Sequence, residues 1–213
     1  MREQRRGDEL PPLVGGILVG GGSRRMGSAK ALLEWQGESF VERIARALAT
    51  AVEEVVLLGS EAELPATIAR LPAVADTAGV RGPLAGLLAA FAARPGAAWL
   101  IASCDQPLVD AALLEWLVAE RRQGRIAVLP RLAPDRIEPF PGVYEPACRA
   151  TLAALAGPGE RASLQPLAAV PGVHLAQVPA RLAGALRGAN TPAELADLRR
   201  VAGPPTKDPH RGG

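Results

Sequence analysis

Apolar positions along the chain alternate between two spacings. A small-and-apolar run over residues 14–19, ending Ile17-Leu18-Val19, stops abruptly at Gly20-Gly21-Gly22. Phe40, Val41, Ile44 and Leu48 then fall at helical spacing. The run VEEVVLLG (residues 52–59) predicts a strand closed by glycine, and AVAD (residues 73–76) a short one. Leu84, Leu87, Leu88 and Phe91 stand at i, i+3, i+4 and i+7, one face of a helix. AAWLIAS (residues 97–103) is an almost wholly apolar strand, Leu113, Leu114, Leu117 and Val118 make another helical face, and RIAVLP (residues 125–130) is a strand.

Continuous apolar strands alternating with amphipathic helices imply a parallel sheet covered on both faces, the α/β class. After Pro130 the rhythm changes. RLAPDRIEPFPGVY carries three prolines and is expected to break regular pairing. Helical stretches are expected over residues 147–156 and 163–169, then a short strand over 173–178 and a helix over 192–201. Asn190 or Thr191 is placed to cap that last helix, with Pro192 in its first turn. No internal repeat is visible.

Composition narrows the function. Of the 213 residues 48% are apolar and only 3% aromatic, so the core is built of Leu, Val and Ala, and stacking platforms for nucleic acid are not expected. The net charge of +2 argues against a broad nucleic-acid surface, so any anion site must be local. Cys104 and Cys148 stand far apart in no Cys-x-x-Cys pair, and with His174 and His210 the only histidines, no zinc-ligand spacing exists. His174 has no nucleophile elbow to serve in a Ser-His-Asp triad. Two reduced thiols, the absence of an eighteen-residue apolar run and a charged N-terminus lacking an apolar signal core predict a cytoplasmic protein with no membrane segment. Residues 1–12 and 202–213, polar and rich in charge or in Pro and Gly, are expected to be disordered extensions flanking a single domain over 13–201.

The most informative stretch is GILVGGGSRRMGSAKALL (residues 16–33). In an open parallel sheet, ligands bind beyond the carboxyl ends of the strands, where this loop lies. Its glycines let backbone N–H groups approach a phosphate, and Arg24, Arg25 and Lys30 bring positive charge. Two phosphate motifs fail here. The dinucleotide fingerprint needs glycine where Arg25 stands, and the P-loop needs Lys-Ser/Thr where Ser28-Ala29 stands. A tight turn with solvated basic residues and a phosphate cradle of another kind both remain open.

The stretch closely resembles the opening signature of the molybdenum cofactor guanylyltransferases, within the wider superfamily of sugar-phosphate and cofactor nucleotidyltransferases. Leu18, Gly20, Gly21, Ser23, Arg25, Met26, Gly27, Lys30 and Leu32-Leu33 match that signature. Ala29 departs from it, since Asp usually precedes the lysine. Further segments are similar in the same order: ADTAGVRGPLAGLLAA to an Asp followed by Gly-Pro-Leu-x-Gly, LIASCDQPLVD to a metal-binding Cys-Asp-x-Pro, EPFPGVY to a Gln/His-Pro-Leu-x-x-x-Tyr segment with Glu138 and Phe140 substituted, and GANTPAELADL to an Asn-Thr-Pro ending. Where some members carry a nucleotide-binding Asn after the second strand, this chain has Gly59 and Ser60, and no role is carried over.

The resemblance implies a three-layer α/β/α, Rossmann-like nucleotidyltransferase fold with a mostly parallel sheet. It implies transfer of GMP from GTP to molybdenum-bound molybdopterin with release of pyrophosphate, Mg²⁺ as cofactor, and contact with other molybdenum cofactor biosynthesis or acceptor proteins. Arg25, Lys30 and Asp105 are then the catalytic candidates. Leu18, Val19, Gly20, Gly21, Gly22, Ser23, Arg25, Lys30, Asp76 and Asp105 would bind nucleotide, Asp105 would hold the metal, and Asn190 would lie on the substrate side. The Pro-rich stretch over 131–144 would face the pterin. On the residues alone, Asp105 or Asp110 could instead cap the helix that follows, and Asp76 could simply form a turn. Other readings are a cytidylyltransferase for the same cofactor, another small nucleotidyltransferase acting on a phosphate, or an inert nucleotide-binding regulator.

Overall fold

The computed structural model describes residues 9–19, 30–59, 64–133, 136–157, 163–189 and 192–201. The strands are β1 (Leu13–Leu18), β2 (Glu34–Trp35), β3 (Glu38–Ser39), β4 (Val55–Leu58), β5 (Ala73–Val74), β6 (Ala98–Ser103), β7 (Ala127–Ala133), β8 (Arg136–Ile137), β9 (Gly142–Tyr144) and β10 (Val173–Gln177). The helices are α1 (Phe40–Leu48), α2 (Pro83–Ala93), α3 (Ala111–Ala119), α4 (Arg149–Ala154) and α5 (Pro192–Val201).

The main sheet runs β10-β7-β9-β6-β1-β4-β5, with β8 paired to β7, while β2 and β3 form a separate antiparallel ribbon. β1 is parallel to both β4 and β6, β4 to β5, and β7 to β10. The sheet is covered on both faces, and the continuous apolar strands show why. Along β4, Val55 and Leu57 enter one core while Val56 and Leu58 enter the other. Along β6, Leu100 and Ala102 face the first core, and Trp99 and Ile101 the second. Side chains alternate across a strand, so one buried on both faces has no polar position to spare. The first core holds Ile44 and Leu48 of α1 and Leu113 and Leu117 of α3. The second holds Leu84, Leu87 and Phe91 of α2 and Leu152 of α4.

The helix starts are written in the sequence. Ser39-Phe-Val-Glu42 forms a capping box: the Glu42 backbone N–H donates to Ser39 Oγ at 3.3 Å, and the Ser39 N–H donates to Glu42 Oε2 at 3.1 Å. Asp110 Oδ1 accepts the Leu113 N–H at 2.9 Å and caps α3.

One expectation is corrected. The proline-rich stretch does not end regular pairing. β7 continues through Pro130 to Ala133, β8 pairs back on it, and β9 inserts antiparallel between β6 and β7. The prolines avoid the ladder positions that would need their missing N–H. Pro139 and Pro141 both precede β9, while the Pro130 carbonyl accepts from Glu138 N–H at 2.9 Å. Helical structure in the later part is also shorter than expected: α4 covers only Arg149–Ala154, and 3₁₀ turns occupy Pro146–Cys148 and Gln165–Ala169. The Pro11 and Pro12 carbonyls accept bonds from Arg121 Nη2 and Ala98 N–H, which ties the entry to β1 to the body of the domain.

Candidate active site

In the β1–β6 register Leu18 lies opposite Ser103, so the chain leaves both strands at the same edge of the sheet. The glycine-rich loop follows Val19, and Asp105 follows Ser103 by two residues. Two sequence candidates therefore emerge side by side although 85 positions separate Gly20 from Asp105. Residues 20–29, and with them Gly20, Gly21, Gly22, Ser23 and Arg25, lie outside the described residues, as does Asn190. Lys30 begins a 3₁₀ turn over Lys30–Leu32, directly after the loop.

Leu18 and Val19 are core residues. Val19 is buried on the α1–α3 face and Leu18 on the α2–α4 face. Their side chains are buried in the two cores, so a role in binding is left to their main chain. The Val19 N–H is already committed to the Leu58 carbonyl at 3.0 Å.

Asp105 does not cap α3, since Asp110 does. It is half-buried and lines a cleft of about 560 Å³ together with Ser103, Gln106, Leu132, Phe140 and Arg187. Its backbone is held firmly: the Asp105 carbonyl accepts the Ala189 N–H at 2.9 Å. Next to it, buried Gln106 donates from Nε2 to the Leu186 carbonyl at 3.4 Å. The segment before the Asn-Thr-Pro motif is thus bonded to the Asp105–Gln106 turn, and two motifs remote in sequence meet.

Asp76 is placed on the other flank of β1. Its Oδ1 faces Gly86 of α2, where a Cβ would come within 3.5 Å of that oxygen and within 2.6 Å of Leu18 Cδ2. Gly86 is the second glycine of the Gly-Pro-Leu-x-Gly segment and lets α2 close on β1. The first, Gly82, takes φ 75° and ψ −163° at the N-cap of α2, a conformation open mainly to glycine, and Pro83 supplies the first helical position. Partial desolvation raises the Asp76 carboxyl above its ordinary value although the residue as a whole is exposed, because one oxygen faces the helix. Asp76 does not line the cleft that contains Asp105.

The proline-rich stretch also lines the cleft, with Leu132 at the end of β7 and Glu138, Pro139 and Phe140 leading into β9. Leu132 is 40% exposed, the exposed large apolar side chain among the described residues. The expectation that residues 131–144 face a substrate thus falls on a wall of a real cleft. Sequence reasoning assigned no role to Gln106, Arg187, Gly188 and Glu194. Three of them lie inside recognised segments and Arg187 adjoins one, but the cleft that gathers them is tertiary.

Among the described residues no group of three His, Cys, Asp or Glu side chains is arranged to cage a metal. Carboxylates that line a cleft without forming a cage suit an ion that keeps its waters and takes phosphate oxygens, as Mg²⁺ does, and not an all-protein zinc or calcium site. Both cysteines are buried and free, and His174 Nε2 lies 3.3 Å from Glu120 Oε2, away from the cleft.

Comparison with known proteins gives the family and the fold. The MobA-like NTP transferase domain matches residues 15–172. A probable molybdenum cofactor guanylyltransferase of Opitutus terrae is 35% identical over 161 residues, which cover 74% of this chain and 79% of that protein. A molybdenum cofactor biosynthesis bifunctional protein of Synechocystis is 38% identical over 117 residues, 54% of this chain but only 34% of that longer protein. In fold, the crystal structure of the molybdopterin-guanine dinucleotide biosynthesis protein A of Archaeoglobus fulgidus superposes with a TM-score of 0.71 at 22% identity, covering 89% of this chain and 98% of that one.

Proposed function

Because this chain belongs to the MobA-like NTP transferase family and is thus a nucleotidyltransferase, we propose that it transfers GMP from GTP to the terminal phosphate of molybdenum-bound molybdopterin, releasing pyrophosphate. The observation that carries the proposal is the adjacency of two strand ends. The neighbouring parallel strands β1 and β6 end together, β1 leading into the glycine-rich sequence and β6 into Asp105, which lines a cleft large enough for a second substrate. The names carried by the relatives point to guanine and to the molybdenum cofactor.

The chemistry is a displacement at phosphorus. An oxygen of the acceptor phosphate attacks the α-phosphorus of GTP, and the bond from that phosphorus to the bridging oxygen breaks, so the electron pair leaves with pyrophosphate. The nucleophile is already an anion, which removes the need for a strong general base and fits a cleft without histidine. The difficulty is bringing two anions together. Arg25 and Lys30 would hold the β- and γ-phosphates and stabilise the pyrophosphate as its charge develops. The Gly20–Gly22 main chain would fix the triphosphate in line. Asp105 would hold Mg²⁺, which when bound neutralises phosphate charge and polarises the α-phosphate.

Thermal denaturation with GTP, CTP, UTP or ATP, each with and without Mg²⁺, tests the nucleotide. A ligand at 100 times its Kd adds about 2.7 kcal/mol, roughly a 5–11 °C rise in Tm for a chain of this size. GTP with Mg²⁺ should give the largest rise. A larger rise with CTP would move the proposal to cytidylyl transfer.

A further inference from the structure

The cleft beside Asp105 contains three carboxylates, those of Asp105, Glu138 and Glu194, and a single cation among the described residues that line it, Arg187. Among these described side chains, Arg187 is the one whose charge attracts the terminal phosphate of an acceptor. Arg187 is also unusually well placed for an exposed side chain, because the main chain on either side of it is fixed. One residue before it, the Leu186 carbonyl accepts from Gln106 Nε2 at 3.4 Å. Two residues after it, the Ala189 N–H donates to the Asp105 carbonyl at 2.9 Å. The Arg187 N–H itself closes the preceding 3₁₀ turn on the Gly184 carbonyl at 3.3 Å. The main chain that carries the cation is therefore tied to the turn that carries Asp105. The same cleft is also lined by the apolar side chains of Leu132, Pro139 and Phe140. A cleft that combines a cation with apolar side chains suits a ligand carrying both a phosphate and an apolar surface.

From this geometry we propose that Arg187 binds the phosphate of the acceptor substrate and presents it beside Asp105, and that Gln106 is the positioning residue that sets Arg187 through the Leu186 carbonyl. The inference rests on the nucleotidyltransferase reading above and adds to it the residue that recognises the second substrate. A guanidinium gives a phosphate two parallel hydrogen bonds where an ammonium gives a point charge. Arg187→Lys should accordingly recover only part of what Arg187→Ala loses. Gln106→Leu keeps the volume but removes the bond to the Leu186 carbonyl, and it should weaken acceptor binding less than Arg187→Ala does.

The test measures GMP transfer to molybdenum-loaded molybdopterin with GTP and acceptor varied in turn, together with equilibrium binding of molybdopterin alone to the wild-type chain and the three variants. Loss of one charge-assisted contact should raise the acceptor KM and Kd of Arg187→Ala roughly 10- to 100-fold. The KM for GTP should stay within about twofold, and Tm should be unchanged because the side chain is exposed. Equal acceptor KM and Kd in wild type and Arg187→Ala, with transfer intact, would overturn the role of Arg187 and leave the guanylyltransferase reading standing. A wild-type chain that binds molybdopterin in an Arg187-dependent manner but transfers no GMP would support the phosphate site and sink the reaction instead. Failure of the wild-type chain to bind molybdopterin at all would overturn the inference directly.

Discussion

Gly142 offers a sharp test of how the corrected region shapes the cleft. It opens β9, pairs with Ile101 of β6, and is wholly surrounded. A Cβ there would stand 2.6 Å from the Pro139 carbonyl oxygen, 2.9 Å from Leu129 Cδ2 and 3.1 Å from Tyr144 Cε2. The nearest of these is backbone and cannot step aside by rotating a side chain. The same Pro139 oxygen accepts the hydroxyl hydrogen bond of fully buried Tyr144 at 2.7 Å, so the intruding methyl also attacks that bond. Overpacking of a tight site costs about 1–3 kcal/mol. At roughly 2–4 °C per kcal/mol for a chain of this size, Gly142→Ala should lower Tm by about 2–12 °C. Tyr144→Phe removes only the hydroxyl, a net loss of about 1 kcal/mol and a fall of about 2–4 °C. Because Pro139 lines the cleft, Gly142→Ala should also raise the acceptor KM while the GTP KM, set by the loop after β1, stays near wild type. Denaturation by circular dichroism and two-substrate kinetics read both effects. A Gly142→Ala variant as stable as wild type would refute the close approach, and a change confined to the GTP KM would refute the assignment of this wall to the acceptor.

Other outcomes follow from the same structure. Asp105→Asn keeps size and the backbone bond to Ala189 but removes the charge; GMP transfer should fall by roughly two to three orders of magnitude with little change in Tm, and near-normal turnover would show that Asp105 holds no metal. Burial pushes the Cys148 thiol up to about 12 from an ordinary value of 9.0, so Ellman's reagent at pH 8 should leave it unmodified in the native protein and react with it in denaturant. The unfolded thiol gives up a proton that the folded one keeps, so this group should lower stability as pH rises from about 9 to about 12; a contribution of the opposite sign in urea melts across that window would contradict its burial. Arg121→Met should cost about 3–5 kcal/mol, because it strands the Glu145 carboxylate, which the Arg121 guanidinium grips from Nε at 2.7 Å and Nη2 at 3.1 Å in a buried pair.

Much of the fold was legible because its signals are local. Leu84, Leu87 and Phe91 report their helix through spacing alone, and Ser39 and Glu42 announce the start of another. The continuous apolar run before Ser103 marks a strand buried on both faces. β9 was not legible. Three residues between prolines carry no period, and the strand exists because β6 and β7 offer it two partners at once. The buried Arg121–Glu145 pair likewise joins positions 24 apart with no pattern linking them. For the site, the glycine loop and Asp105 stood out by residue type at strand ends. Arg187 and Gln106 did not, because an arginine in a short 3₁₀ connection and a glutamine after an aspartate acquire meaning only when residues 186–189 fold onto the Asp105 turn. Asp76 shows the reverse: its motif was plain, while its raised carboxyl depends on α2 packing closely at Gly86.

The central claim is tested most directly by incubating the chain with Mg²⁺, molybdenum-loaded molybdopterin and GTP labelled at the α-phosphate, and by following label into the pterin product alongside free pyrophosphate. Transfer of label with one pyrophosphate released per product, and much weaker transfer from CTP under the same conditions, is the predicted result. Label carried into the pterin from CTP in preference to GTP, or no transfer from either nucleotide, would contradict guanylyl transfer.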